Sequence, residues 1–266
     1  GDVYKRQPQG NRGGTLNFPI GGMTGNMCCG FYQPSQDLAN AYQTSNGLPL
    51  LDTYNQSDIA NDAGINSDEA FTPHTGPLDP RIDYTIARRG IEYKGYGPFT
   101  GKENIRASFS DISGPYAAKK SMYYAGDDTN KGTGGWGEQR SGINYHIIRY
   151  ADVLLMAAEA AVESGSLETA RGYVNQVRQR AVDTPRADSS PNYSISTYDS
   201  AWTDQAVARK AVRFERRLEL GMEGGRLFDL RRWNVMEATL NAYIANEGRT
   251  IPTVSYTHLT LPTRLM

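Results

Sequence analysis

From Tyr145 onward the apolar residues recur three and four positions apart. In "YHIIRYADVLLMAAEAAVESG", Ile147, Tyr150, Val153 or Leu154, Ala157, Ala158 and Ala161 fall on one face of a helix, and Gly165 ends it. The next stretch, "SLETARGYVNQVRQRAV", opens on Ser166 as cap, has Thr169 where a glutamate would complete a capping box, and keeps the period through Leu167, Ala170, Tyr173 or Val174, Val177 and Ala181. The spacing predicts two antiparallel helices, with Ala157, Ala158, Ala161 and Gly172 letting the backbones approach. A polar loop, Asp183 to Ser200, carries Pro185 and Pro191 and leads to a third helix from about Trp202 to Met222. Gly224 and Gly225 interrupt it before "RLFDLRRWNVMEATLNAYI" resumes a helical pattern through Leu227, Leu230, Val235 and Leu240.

Between Pro8 and Asn144 no such period is sustained. Gly, Pro, Asn, Ser and Asp dominate, which predicts long ordered loops with short helices and strands. In "PSQDLANAYQTSNG" a short helix opens at Pro34 and Ser35, carries Leu38, Ala41 and Tyr42, and closes at Asn46-Gly47. In "GPLDPRIDYTIARRG" Asp79-Pro80 sets a turn. Loops this long within a compact domain usually serve function. The native part thus divides into a loop-rich ligand-binding region, 8–144, and a helical scaffold, 145–253.

One DNA string encoding "DVYKRQ" (Asp2 to Gln7) reads Val-Ser-Tyr-Thr-His on its opposite strand, and "VSYTH" occupies Val254 to His258. Residues 1–7 and 254–266 resemble a translated transposase adapter and are expected to be non-native.

A chain of 266 residues suffices for one large domain or two small ones. Its net charge of -1 comes from basic and acidic residues interleaved along the chain, which argues against a nucleic-acid partner or an anionic membrane surface. Cys28 and Cys29 are adjacent, so neither a disulfide framework nor a zinc site follows. His74 and His146 have no Ser or Cys neighbour in a nucleophile motif, and there is no phosphate loop, GxGxxG or metal-spaced cluster. No catalytic residue, metal or cofactor is expected.

Charge is densest in "RFERRLELGMEGGRLFDLRRWN", where Arg216, Glu219, Glu223 and Arg226 stand three or four apart. That spacing predicts opposite charges meeting along one helix face as structural wiring, with a phosphate or acidic-ligand site as the competing reading. Asp152 and Glu159, seven apart, are expected in ion pairs with nearby arginines (Arg149, Arg178, Arg180) rather than as an acid/base couple.

The succession "IIRYADVLLMAAEA", "ARGYVNQVRQRA" and "RFERRLELGMEGGRLFDLRRW", with "PSQDLANAYQTSNGLPLLD" and "LDPRIDYTIA" upstream, resembles the SusD/RagB family of outer-membrane nutrient-binding lipoproteins of Bacteroidetes. The resemblance implies a mainly α fold in which tetratricopeptide-like helix pairs form a scaffold and long loop-rich inserts hold the ligand. It implies non-catalytic binding of an oligosaccharide or polysaccharide, or of a peptide as in RagB-like members, for delivery to a TonB-dependent, SusC-like transporter. The implied location is the cell surface, lipid-anchored to the outer membrane, with signal peptide and anchor lying outside this sequence. A helical-repeat scaffold that binds another protein is the alternative.

Ligand contact is expected from the aromatic loops. "IEYKGYGPF" presents Tyr93, Tyr96 and Phe99 among glycines, and "SMYYAGDDTNKGTGGWGEQR" presents Tyr123, Tyr124 and Trp136 beside Asp127, Asp128, Asn130 and Glu138. A sugar stacks its C–H face on a ring while its hydroxyls bond to amides and carboxylates, so Trp136, Tyr96, Tyr124, Tyr93 and Asn130 form the candidate set. For each ring the competing role is to pin its loop onto the scaffold.

Overall fold

A computed structural model of the chain describes residues 4–6, 32–101, 104, 105, 114–120, 122–130 and 143–248; Trp136, Glu138 and the cysteine pair lie outside them. The fold is mainly α, and among the described residues the long helices all follow Arg149. Ser35 is extended and its Oγ accepts from Leu38 N at 3.1 Å, which starts the short helix α1 (Gln36–Asn40). Asn46 (φ 50°) and Gly47 (φ 79°) then form the turn of a small hairpin, β2 (Thr44–Ser45) and β3 (Leu48–Pro49), rather than a helix stop. After the Asp79-Pro80 turn, α2 (Ile82–Thr85) runs into β4 (Ile86–Ala87), which pairs antiparallel with β5 (Ala117–Ala118).

The first long helix begins later than the period suggested. Tyr145–Ile148 forms a strand paired antiparallel with Tyr4–Arg6, inside the 1–7 segment expected to be non-native. We label these strands β6 and β1. Arg149 is still extended (φ -133°, ψ 155°), so helix α3 spans Tyr150–Glu163. Two adjacent isoleucines suit a strand better than a helix start, because β-branched side chains are stiff at χ1. The buried face of α3 is Leu154, Leu155, Ala158, Ala161 and Val162, while Tyr150, Val153 and Met156 are exposed together with Ile147.

Gly165 (φ 81°) turns the chain into α4 (Leu167–Asp183). Ser166 stands at its cap position without a side-chain cap bond. Gly172 is on the outer face, and a Cβ there would meet nothing within 4 Å, so the close approach rests on Ala158, Ala161 and Ala170. The third helix, α5 (Gln205–Glu219), starts after Trp202, because the Asp204 carboxylate accepts from Ala206 N (2.7 Å) and Val207 N (3.0 Å). Two shorter helices follow, α6 (Arg226–Arg232) and α7 (Met236–Glu247), divided at Asn234 (φ 55°).

Among the described residues, three apolar clusters hold these elements. One joins α3, α4 and α5 through Leu155, Val162, Val174, Val177 and Val212. A second sets Ala39, Tyr42, Leu78, Ile82 and Tyr116 against Phe214 and Leu218 of α5, so the loop-rich half shares a core with the helices. The Tyr42 hydroxyl donates to Leu218 O at 2.9 Å across that boundary. Each fully buried Leu, Ile or Val stabilises by about 1.5–3 kcal/mol relative to exposure. The third cluster, under the aromatic loops, contains Ala87, Tyr93, Phe99, Ile105, Ala117, Met122 and Tyr123.

Candidate functional site

Arg216, Glu219 and Glu223 of the arginine-rich stretch meet partners on other elements rather than one another. Glu219 accepts from Arg149 Nη1 (2.6 Å), Arg180 Nη2 (2.7 Å) and Arg81 Nη1 (3.1 Å), although its side chain is 2% exposed. Burial raises its carboxyl, but Arg81, Arg149, Arg180 and Lys120 outweigh burial and hold it at about 2. Arg216 reaches Asp152 (2.7 Å) and Asp229 (2.9 Å), and Glu223 meets Lys120 (2.5 Å) and Arg149 (2.7 Å). Asp152 is therefore paired with Arg216, and Glu159 with Arg232 and the Trp233 indole at 2.6 Å, not with Arg149, Arg178 or Arg180. These carboxylates and guanidinium groups neutralise one another, which is the wiring expected of the segment, over longer chain distances.

A narrow polar hollow is lined by Asn61, Asp62, Phe71, Arg88, Arg89 and Tyr116. Its two guanidinium groups are engaged: Arg88 forks Asp83 at 2.7 Å through both nitrogens, and Arg89 donates to Asn66 O and Ser67 O at 3.0 Å. It is built as a brace.

The aromatic loops have a different character. Residues 90–99 fold back on themselves: Gly90 N donates to Phe99 O, Phe99 N to Ile91 O and Tyr93 N to Gly97 O, all at 2.9 Å. At the tip, Tyr96 N donates to Tyr93 O at 2.9 Å across Lys94 (φ 49°) and Gly95 (φ 82°), the positive-φ pair of a type I′ turn. Ala125 N donates to Lys94 O at 2.9 Å, which docks the second loop on the first. That second loop is closed by Asp127, whose carboxylate accepts from Thr129 Oγ1 (2.7 Å), Asn130 Nδ2 (2.6 Å) and Asn130 N (3.2 Å) ahead of the 3₁₀ turn Asp128–Asn130. Bonds from Asn130 and Thr129 lower the Asp127 carboxyl below the usual carboxylate range.

Four of the five sequence-derived candidates lie among the described residues, and they differ in exposure. Tyr93 is fully buried in the third cluster, with its hydroxyl donating to Ala118 O at 3.3 Å, and Phe99 and Tyr123 are buried beside it. This corrects the expectation that "IEYKGYGPF" exposes Tyr93 and Phe99. A fold-back lying on β4 and β5 must bury one of its faces, and those rings occupy it. Burial raises the Tyr93 phenol well above its ordinary range. Tyr96 is half-buried, its ring 6.2 Å from that of Tyr93. The Asn130 amide is engaged in its own loop. Trp136 lies outside the described residues. Tyr124 is the candidate ring open to solvent, 53% exposed, and Lys94 Nζ sits 4.4 Å from its centroid.

Two lysines that the sequence reading passed over belong to this site. Lys94 occupies the turn tip, and buried Lys119 lies under the fold-back, its Nζ donating to Glu92 O and 5.9 Å from the Tyr93 ring. The sequence signal was the lysine in "YKGY", at a turn position that ordinarily takes Asn, Asp or Gly. Among the described residues no group of His, Cys, Asp and Glu could hold a metal ion, and no helix is long and apolar enough to cross a membrane.

Comparison with known proteins places these features in context. The model of the SusD family matches residues 2–258. SusD-like protein P2 of Formosa agariphila is 33% identical over 153 residues, which covers 57% of this chain and 26% of that protein. SusD-like protein P25 of the same organism is 36% identical over 93 residues, 35% of this chain and 16% of that protein. Among solved structures, a SusD superfamily protein from Bacteroides vulgatus aligns with a TM-score of 0.49 and 24% identity, covering 83% of this chain and 37% of that one. A SusD-like carbohydrate binding protein from Bacteroides fragilis aligns with a TM-score of 0.46 and 24% identity, covering 76% of this chain and 36% of that one. The chain thus spans 26% and 16% of the lengths of the two curated relatives.

Proposed function

We propose that this chain, which belongs to the SusD family, binds an oligosaccharide or polysaccharide through its aromatic loops and does not cleave it. The observation that carries this reading is Tyr124, a ring 53% exposed on a loop that a backbone hydrogen bond from Ala125 N to Lys94 O fastens to the neighbouring fold-back. Such a ring offers a flat apolar face to the C–H side of a pyranose, and its fixed mounting lowers the entropy lost on binding. Tyr96 at the adjoining tip, Asn130 and Trp136 complete the proposed contact set, while Tyr93 supports it from below.

The family supplies the setting. The bound glycan is handed to a TonB-dependent, SusC-like transporter, and the protein works at the cell surface, lipid-anchored to the outer membrane. Titrating the complete protein with a panel of soluble glycans, beside Tyr124→Ala and Trp136→Ala variants, tests the binding. Loss of affinity in the variants supports stacking, unchanged affinity removes that ring, and release of reducing sugar overturns the non-catalytic role. Co-purification with a transporter from the native membrane tests the delivery step.

The exposed row Tyr150, Val153 and Met156 on α3 favours a second reading, a helical scaffold that meets another protein. Replacing Val153 and Met156 with lysine separates the two, since only the scaffold reading loses its partner.

A further inference from the structure

We infer that the ligand taken at Tyr124 is an anionic glycan, a sugar chain bearing carboxylate or sulfate groups, and that Lys94 selects the charge. This rests on the glycan-binding reading above and adds the ligand's chemical class.

The first observation is conformational. Lys94 (φ 49°) and Gly95 (φ 82°) are the central residues of a type I′ turn, where the first position favours Asn, Asp or Gly. A lysine held there is strained, and strain of this kind persists where a side chain is needed in one place. Here it brings the ammonium over the face of the exposed ring, 4.4 Å from the Tyr124 centroid.

The second observation is charge. Among the described residues, neither Lys94 nor Lys119 forms an ion pair with a carboxylate, although Glu92 and Asp188 are close by. Both acids are held by the fold: Glu92 Oε1 accepts from Gly95 N (2.7 Å), and Asp188 accepts from Glu92 N (2.8 Å) and Ser190 N (2.7 Å). The Asp127 carboxylate is likewise engaged by Thr129 and Asn130. Burial and the neighbouring Lys119 push the Lys94 ammonium down to about 8, and burial pushes Lys119 to about 8 against the pull of Asp83 and Glu92. A half-buried cation without an acidic partner gains from a counter-ion, and a sugar stacked on the free side of Tyr124 can bring a carboxylate or sulfate to its edge.

The experiment uses matched probes on the full chain: dextran sulfate against dextran, and polygalacturonate against its methyl ester, at one fixed salt concentration. The expected result is about tenfold tighter binding of at least one charged probe over its neutral partner, and which pair responds tells sulfate from carboxylate. Lys94→Asn relieves the turn, so it folds, raises the melting temperature, and brings the charged-to-neutral ratio close to one. Lys210→Asn removes a remote surface lysine that pairs with Asp52 and leaves the ratio as in the parent. Equal affinity for charged and neutral probes, or a preference that survives Lys94→Asn, overturns the anionic ligand while the glycan reading stands. Binding of no glycan of either kind overturns both.

Discussion

Arg178 and Glu215 meet at 2.9 Å, from Nη1 to Oε2, with both side chains fully buried. Arg178 also donates from Nε to Ser196 O (2.6 Å) and from Nη2 to Gly47 O (2.7 Å), while Glu215 accepts from Arg81 at 2.5 Å. One guanidinium thereby ties α4, α5, the β2–β3 turn and the 183–200 loop together. Removing it strands Glu215 and leaves two carbonyls unpaired. Arg178→Met is expected to cost about 3–5 kcal/mol, read as a lower urea midpoint. A change under about 1 kcal/mol would mean that Arg81 alone satisfies Glu215.

Acid sensitivity follows from Glu219. Its carboxyl lies at about 2 in the folded chain against 4.5 as the ordinary value. A carboxyl with a depressed folded pKa contributes stability that is fully present above the unfolded value and is lost as pH falls through the folded one. Urea midpoints should therefore decline between about pH 4.5 and pH 2, and Glu219→Gln should flatten that window while lowering stability at neutral pH.

Tyr93 and Tyr124 should respond in opposite ways. Tyr93→Ala empties a fully buried site and is expected to destabilise by about 3–5 kcal/mol. Tyr124→Ala removes an exposed ring, so thermal unfolding should move little while glycan affinity drops about tenfold. Calorimetry in both modes distinguishes them, and a large stability loss at Tyr124 would count against its binding role.

Gly47 is required by both conformation and space. Its φ is 79°, and a Cβ there would sit 2.7 Å from Ser196 N. Gly47→Ala should cost about 1–3 kcal/mol, by strain and by displacing the carbonyl that Arg178 holds. Circular-dichroism melts would show this as a lower midpoint with unchanged helix content.

The sequence alone determined the helical half. Ala158, Ala161, Ala170, Val174, Val177 and Ala181 are buried where a period of three and four placed an apolar face, because that period is a property of the backbone within a few turns of itself, whereas Ile147, Tyr150 and Val153, assigned to the same face, are exposed. Three of the five segments behind the family resemblance lie in the same locally patterned stretches. Tertiary structure decided matters that depend on distant partners. Tyr145–Ile148 became a strand because Tyr4–Arg6 is available to pair with it, and α3 lost its first turn. Glu219 reached Arg81 from a position 138 residues away rather than its own helix neighbours, since several guanidinium groups converge where α5 meets the loops. Tyr93 and Tyr124 sit in similar glycine-flanked polar loops, yet one is core and the other is solvent-facing. No local pattern separates them, because burial is set by which face of a loop lands on the rest of the molecule, and that is known only when the whole chain has closed.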